Sequence, residues 1–160
     1  TAAVAQGLET YRFNEAAGAA YRFVWNVFCD WHLEFAKPLL SGDDEAAKAE
    51  TRETTAYVLE VALKLLHPFM PFVTEELWAK TAGEKGRNKL LIVADWPELH
   101  GLANDTAQAE MNWLGNLITE IRKLRSEMNI PANAKPAGLA VNADAALAKR
   151  LEIQDRKSVV

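Results

Sequence analysis

The sequence is poor in cysteine, in long apolar runs and in excess positive charge. One cysteine in 160 residues excludes an internal disulfide, and we expect a cytoplasmic protein. No apolar run approaches the roughly 20 residues of a membrane-spanning helix, and the polar N-terminus has no signal-peptide core. The net charge of −4 lacks the basic excess typical of an independent nucleic-acid-binding protein. If this chain contacts nucleic acid, other parts of a larger protein should therefore supply much of the affinity.

Motifs for nucleotide binding, nucleophilic catalysis and metal binding are also missing. The sequence contains no G-x-x-x-x-G-K, no G-x-G-x-x-G and no G-x-S-x-G. No pair among His32, His67 and His100 has the spacing of zinc ligands, and Cys29 does not complete such a set. His32 and His67 are interpreted as packing or helix-capping residues, and Cys29 as a buried core residue. We expect no catalytic residue, metal or cofactor in this chain.

What the sequence does contain is a long, aromatic-rich helix candidate, Tyr11 to Leu40. Its apolar residues recur at the three- and four-residue steps of a buried helical stripe: Phe13, Ala17, Ala20, Val24, Val27, Trp31 and Phe35. Three further aromatic residues widen this stripe, so neighbours should cover the helix on more than one side: Tyr21, Trp25 and Phe28.

Turn signals place the helix ends. We predict a first helix from near residue 1 to about residue 36, broken or softened around Gly18 and ended by Lys37-Pro38, because proline disfavours helical geometry at the preceding residue. Ser41 and Asp44 resemble a capping box for a second helix, and Asp105 or Thr106 is the expected N-cap of the fourth. The remaining helices are predicted at residues 43–66, 72–81 and 106–128, with an extended segment at 90–99 packed along them.

The same periodicity predicts which faces are buried. On the second helix these are Tyr57, Val58, Val61, Ala62, Leu65 and Leu66. On the third and fourth helices they are Val73, Leu77, Trp78, Met111, Leu114, Leu117, Ile118, Ile121, Leu124 and Met128.

These elements predict an all-α fold, an antiparallel helical bundle with a short incomplete α/β tail. The helical domain should span residues 1–135, and residues 136–160 should begin a small mixed module. That tail holds a strand candidate, Ala137 to Asn142, and a helix from Asp144 to about Asp155. Because the chain starts at threonine rather than methionine, we expect a processed protein or a piece of a larger one.

The polar residues of most interest are basic. Arg122, Lys123 and Arg125 stand near the end of the fourth predicted helix. Cations are stabilised at a helix C-terminus whatever their function, yet the same side chains could contact nucleic-acid phosphates. Arg12, Arg22 and Arg52 raise the same two possibilities on the first two helices.

Several stretches together resemble the valyl-tRNA synthetases, and specifically the helical anticodon-binding domain of the bacterial enzymes. The resemblance is carried, in order, by RFNEAAGAAYRFVWNVFCDWHLEFAKP, LLHPFMPFVTEELW, ADWP and EMNWLGNLITEIRKLRSEMNIP, at residues 12–38, 65–78, 94–97 and 110–131. The second stretch is shared in variant form with isoleucyl and leucyl enzymes. The FVW-x-x-FCDW-x-LE-x-AKP run is the part that points to valine.

The resemblance implies a class I synthetase that uses ATP and magnesium to load valine onto its tRNA, in the cytoplasm and as a monomer. The His-x-Gly-His and Lys-Met-Ser-Lys-Ser signatures of such enzymes are absent here, so this part alone should not aminoacylate tRNA. Its implied task is to hold the anticodon stem and loop. Anticodon bases can be stacked on apolar or aromatic side chains while arginine and lysine contact the backbone.

The resemblance also suggests where the tRNA lies. We expect Arg12, Arg52 and Leu59 near the anticodon-binding face, and seven residues, close to two helical turns, place the last two on one side of a helix. Backbone contact is expected from Arg122, Lys123 and Arg125.

Two alternatives stay open on the sequence. The chain could be the same domain of an isoleucyl- or leucyl-tRNA synthetase. It could also be a helical protein-interaction module, which its negative net charge and wide apolar faces would suit.

Overall fold

The computed structural model describes residues 1–83, 86–99, 101–131, 134 and 144–154. Across these ranges the regular structure is helical and no β-strand occurs, in agreement with the predicted all-α class. The chain forms two compact units, Thr1–Leu102 and Ala103–Val160. The elements, in chain order, are α1 (Ala2–Glu9), α2 (Phe13–Arg22), a π-helical segment (Phe23–His32), α3 (Leu33–Ser41), α4 (Glu45–Leu66), α5 (Pro71–Lys80), a 3₁₀ turn (Leu91–Val93), α6 (Asp105–Glu127) and α7 (Ala145–Gln154).

The first predicted helix is interrupted at Tyr11, not at Gly18. Tyr11 has a φ of 58°, in the left-handed region that side chains rarely adopt. The N–H of Arg12 donates to the carbonyl of Gly7 at 2.7 Å, which closes the turn between α1 and α2. A Cβ atom on Gly7 would lie 2.8 Å from the Cβ atom of Ala16, so glycine is what allows the two helices to approach here. Gly18 lies inside α2, and the prediction of a break there is wrong.

The helical run also continues past Pro38 to Ser41, so the predicted end at Lys37-Pro38 is wrong. Pro38 removes one backbone N–H from the helix, but only three residues follow it before the helix ends. The hydroxyl of Ser41 donates to the carbonyls of Lys37 at 3.0 Å and Pro38 at 3.3 Å, which satisfies acceptors at the helix end. Cys29, in the π-helical segment, is half-buried rather than fully buried as expected.

The core of the first unit lies where α1, α2 and α4 meet. Its buried cluster consists of Val4, Ala16, Ala20, Val61 and Leu65. The predicted stripe on the first helical run is displaced, since the buried positions along that run are Ala16, Ala20, Phe28 and Ala36. Of the three flanking aromatic residues only Phe28 is buried, while Tyr21 and Trp25 are 59% and 57% exposed. The expectation that neighbours cover those two rings is wrong.

Helix α4 begins within two residues of the predicted start, but its cap differs from the prediction. The Asp44 carboxylate accepts from the N–H groups of Ala46 and Ala47 at 3.0 and 3.1 Å. Ser41 belongs to the end of α3, so the capping-box interpretation is wrong. Tyr57 is 49% exposed and Leu63 is buried instead, since Leu63 packs with Trp78 of α5 and with Leu91. The remaining predicted positions are buried or half-buried.

A second buried cluster, Leu63, Trp78 and Leu91, fixes the extended segment that follows α5. The Trp78 indole N–H donates to the Lys89 carbonyl at 3.0 Å. The Glu75 carboxylate accepts from the N–H of Leu91 at 2.8 Å. The prediction that residues 90–99 pack along the helices is therefore correct only in part. Leu91 and Ala94 pack against this cluster, whereas Leu90, Ile92 and Val93 are more than 60% exposed, and one 3₁₀ turn lies inside the segment.

The predicted inward face of α5 is only partly correct. Trp78 is buried, whereas Val73 and Leu77 are 45% and 41% exposed. Thr74 is buried in their place, and its hydroxyl donates to the Met70 carbonyl at 2.7 Å. A pattern of apolar residues cannot identify a buried polar residue. The Thr74 hydroxyl can be buried here because its hydrogen-bond acceptors lie at the start of its own helix.

The second unit contains α6 and α7. The side chain of Asn104 caps α6 by accepting from the N–H of Ala107 at 2.9 Å, so the predicted caps Asp105 and Thr106 are wrong by one and two residues. Helix α7 agrees with the predicted helix, and Arg150 ties it to α6 through Glu110 at 3.3 Å. The strand predicted at 137–142 lies outside the described residues.

Burial on α6 is narrower than the sequence predicts. Leu114 and Ile118 are buried and Leu117 is half-buried. The other four predicted positions are between 41% and 69% exposed: Met111, Ile121, Leu124 and Met128. None of the described helices combines the length and the apolar character that crossing a membrane requires.

Candidate nucleic-acid interface

A groove of the first unit lies between α1 and α2 and has a cavity volume of about 660 Å³. It lies beside the close approach of Gly7 in α1 to Ala16 in α2, and residues on both sides of the Tyr11 turn line it. Its walls carry mostly polar side chains: Ala3, Gln6, Gly7, Thr10, Arg12, Asn14, Glu15, Ala19 and Arg22. We call this the α1–α2 groove.

Two arginines supply the positive charge of the α1–α2 groove. Arg12 stands just before α2, and its Nη1 lies 3.3 Å from a carboxylate oxygen of Glu15. Arg22 closes the last turn of α2, and its guanidinium lies along the helix above Gly18. A Cβ atom on Gly18 would come within 3.1 Å of Arg22 Nη1, so the absent side chain makes room for that guanidinium.

This arrangement suits a phosphodiester group. The Arg12–Glu15 pair is 66% and 58% exposed, and such surface pairs contribute only about 0–1 kcal/mol. An incoming phosphate can therefore replace the carboxylate of Glu15 as the partner of Arg12. Guanidinium groups bind phosphate oxygens through two parallel N–H donors, which fixes orientation as well as position. Arg12 is thus the predicted site residue that the structure places in a groove.

The two predicted residues of α4 have different surroundings. Arg52 is exposed. Leu59 is half-buried and packs against the cluster of Leu63, Trp78 and Leu91. A packing role for Leu59 is therefore visible, and its contact with RNA stays a prediction.

The basic residues of α6 belong to the second unit. Arg122 and Lys123 are exposed near the helix end. Arg125 is half-buried, and its Nη2 donates to the carbonyls of Pro131 at 2.9 Å and Ala134 at 3.0 Å. Arg125 therefore closes the segment that follows α6, which gives it a structural role in addition to any contact with phosphate.

Sequence reasoning missed the exposure of four aromatic rings that are near Arg12 or Arg22 in the sequence. Tyr11 and Phe13, on either side of Arg12, form an edge-to-face pair with ring centroids 6.1 Å apart. Tyr21 and Trp25 form a parallel pair, also 6.1 Å apart, with 5° between their planes. The i, i+4 spacing of Tyr21 and Trp25 was the available signal, but it predicts that the rings meet and not that they face solvent.

The histidines have structural partners. His32 Nε2 and the Thr55 hydroxyl are 2.9 Å apart, and the His32 ring stacks on Phe28. Burial lowers the pKa of His32 below its ordinary value because it disfavours the charged imidazolium. His67 Nδ1 lies 2.8 Å from the Thr74 hydroxyl. His100 lies outside the described residues, and among those described no three His, Cys, Asp or Glu side chains are grouped as a metal site would need.

Comparison with known proteins adds an independent finding. Residues 1–142 match the family model described as the anticodon-binding domain of tRNA ligase. The chain is 62% identical over 135 residues to a valine–tRNA ligase of Brucella suis, covering 84% of the chain and 15% of that relative. It is 61% identical over 143 residues to the Caulobacter vibrioides valine–tRNA ligase, covering 88% of the chain and 16% of the relative. It is 55% identical over 153 residues to the Mesorhizobium japonicum valine–tRNA ligase, covering 95% of the chain and 16% of the relative. The chain thus spans about one-sixth of the length of these relatives.

Proposed function

Because this chain belongs to the anticodon-binding domain family of tRNA ligases, we propose that it binds the anticodon stem and loop of a tRNA. The family match over residues 1–142 carries the proposal, and that range includes both arginines of the α1–α2 groove. In this function the chain performs no bond-making chemistry. It holds one end of the tRNA so that the other end reaches a catalytic domain.

The parent protein we propose is a valine–tRNA ligase. The support is the identity of 55–62% to three such enzymes, of which this chain corresponds to about one-sixth. The parent would join valine to its tRNA with ATP and magnesium, in the cytoplasm and as a monomer. ATP, magnesium and valine belong to parts of that enzyme outside this chain, and the partner of this chain is the tRNA for valine.

The finer architecture and the contact residues belong to the same proposal. Residues 1–135 would form an antiparallel helical bundle, and residues 136–160 would begin a mixed α/β module. Arg12, Arg52 and Leu59 would lie near the anticodon-binding face. The α6 residues Arg122, Lys123 and Arg125 would contact the backbone, where each neutralised phosphate adds to the salt dependence of binding.

Binding to three transcribed tRNAs, for valine, isoleucine and leucine, tests the proposal. We expect the valine tRNA to bind most tightly, with an affinity that falls as salt rises because counterions are released from the phosphates. Equal or stronger binding of the isoleucine tRNA would refute the assignment to valine. Absence of binding to all three tRNAs at low salt would refute RNA binding itself and favour a helical protein-interaction module.

A further inference from the structure

Two aromatic rings on one helical run are exposed although aromatic side chains usually form core. Tyr21 and Trp25 are 59% and 57% exposed, and their planes are parallel to within 5°. Their mutual contact holds each ring in a defined orientation. A ring that is more than half exposed keeps a large part of its π surface available to a ligand. We call these two residues the Tyr21–Trp25 ring pair.

The Tyr21–Trp25 ring pair shares a side of its helix with Asn14, one of the residues that line the α1–α2 groove. Asn14 lines that groove, and Asn14, Gly18, Tyr21 and Trp25 follow one another at steps of four, three and four residues. Residues at these steps lie along a single stripe of a helix. Arg22, which also lines the groove, lies between the two rings in sequence, with its guanidinium above Gly18. A ligand that extends from the groove past Arg22 would therefore come next to the ring pair.

We propose that the Tyr21–Trp25 ring pair stacks against an unpaired base of the bound RNA while Arg12 and Arg22 hold the adjoining phosphates. This inference rests on the proposed function and assigns it a place on the first unit. Single-stranded nucleic acids are bound by just this combination, since every base has a π face and every nucleotide a phosphate. The aromatic side chains of a duplex-binding protein would have no such partner, because paired bases stay stacked within the helix.

The charges of the groove favour RNA as the occupant over a basic or an apolar partner. Two guanidinium groups face one carboxylate, so the groove has a net positive charge when its lining is counted. Glu15 then acts as a competitor of the phosphate for Arg12, to which it is paired at 3.3 Å. If the ion pair is purely structural, Glu15→Gln should leave the affinity for RNA unchanged or lower it. If Glu15 competes with the phosphate for Arg12, the same replacement should raise the affinity.

The experiment measures binding of labelled RNA to the full 160-residue chain by fluorescence anisotropy at low salt. The probes are a stem-loop with a valine anticodon and a fully paired duplex of the same stem. Trp25→Ala is expected to weaken stem-loop binding by about 5- to 150-fold, which is the value of one base–aromatic stack, and to leave duplex binding unchanged. Trp25→Tyr should restore most of the affinity. Glu15→Gln should tighten stem-loop binding by about two- to fivefold.

Phe72→Ala is the matched control, because Phe72 is 91% exposed and its surroundings include the acidic Glu75 and Glu76. It should not change the affinity for either probe, and melting curves should show every variant folded. If Trp25→Ala matches Phe72→Ala while the wild-type chain still binds the stem-loop, the ring pair is not a base-binding surface and the proposed function stands. If the wild-type chain binds neither probe, the proposed function fails and this inference fails with it.

Discussion

Replacement of Arg87 by alanine should destabilise the first unit more than any exposed lysine replacement. Arg87 lies in the loop after α5, yet its guanidinium is centred 3.9 Å from the Trp78 ring. Its Nη2 is 2.6 Å from Glu60 Oε1 on α4, and its Nε donates to the Trp78 carbonyl at 3.3 Å. One side chain therefore connects three elements around the Trp78 cluster.

The expected loss of stability on Arg87→Ala can be estimated from these contacts. A cation over an aromatic face contributes about 0.5–2 kcal/mol, more when it is shielded from water. Surface ion pairs contribute about 0–1 kcal/mol, and this pair stands near the upper end because its side chains are only 21% and 36% exposed. The sum predicts that Arg87→Ala lowers the free energy of unfolding by about 1.5–3 kcal/mol. Arg87→Lys should lower the free energy of unfolding by roughly half as much, since an ammonium keeps the positive charge but lacks the planar guanidinium group.

Urea denaturation followed by circular dichroism measures both variants, and Lys80→Ala is the matched control. Lys80 pairs with Glu76 at 3.0 Å, but both side chains are more than 60% exposed, so its loss should cost about 0.5 kcal/mol or less. A double-mutant cycle with Glu60→Ala isolates the ion-pair contribution from the contact with Trp78. If Arg87→Ala costs no more than Lys80→Ala, the reasoning from burial and ring contact is refuted.

Three further changes test the other contacts of the first unit. Gly7→Ala places a Cβ atom 2.8 Å from that of Ala16, so it should separate α1 from α2 and cost about 1–3 kcal/mol in urea denaturation; a neutral result would contradict the close approach. Asp44→Ala removes the acceptor of two N–H groups at the start of α4 and should cost about 0.5–2 kcal/mol, with Asp43→Ala as the neighbouring control. The pKa of His32 is lowered by burial, so the folded chain binds its proton less readily than the unfolded chain, and stability should be full above about pH 6.5 and fall as the pH drops through the lowered value. A His32→Gln variant should lack this loss, and equal pH dependence of the two proteins would exclude His32 as its source.

Helix positions could be predicted from the sequence where the apolar periodicity agrees with the turn and capping residues. Glu45–Leu66 and Asp105–Glu127 both begin and end within two residues of the prediction. The break at Tyr11 could not be predicted, because a tyrosine with a positive φ carries none of the signals that glycine or asparagine would give. Caps were misplaced for a related reason. Several neighbouring side chains could accept the same N–H groups, and only the backbone path selects Asp44 or Asn104.

The exposure of the aromatic rings near the candidate site could not be predicted from the sequence. Arg12 lines the groove, but periodicity assigned Tyr21 and Trp25 to a covered face, whereas both are exposed. A repeating apolar pattern identifies residues that share a side of a helix. It does not say which side a neighbour covers, and an exposed ring that binds a ligand has the same spacing as a core ring.

The displacement of the buried stripe has a specific geometric cause in the π-helical segment. The buried residues of the run are Ala16, Ala20, Phe28 and Ala36, all multiples of four apart. An α-helix advances 400° in four residues and so drifts by about 40° at each such step. A π-helix, with i→i+5 hydrogen bonds and roughly 4.4 residues per turn, drifts the opposite way by about 30°.

Ten π-helical residues between α2 and α3 therefore cancel much of the drift that the flanking α-helical turns accumulate. This keeps every fourth residue on the core side from residue 16 to residue 36. The prediction used a period of 3.6 throughout, so its stripe moved from Ala20 to Val27 and Trp31, which are exposed and half-buried. Trp25 lies beside Tyr21, four residues away, and both are exposed because they lie on the side of the run that the core does not cover. The π-helical geometry thus helps to set which residues of this run are buried.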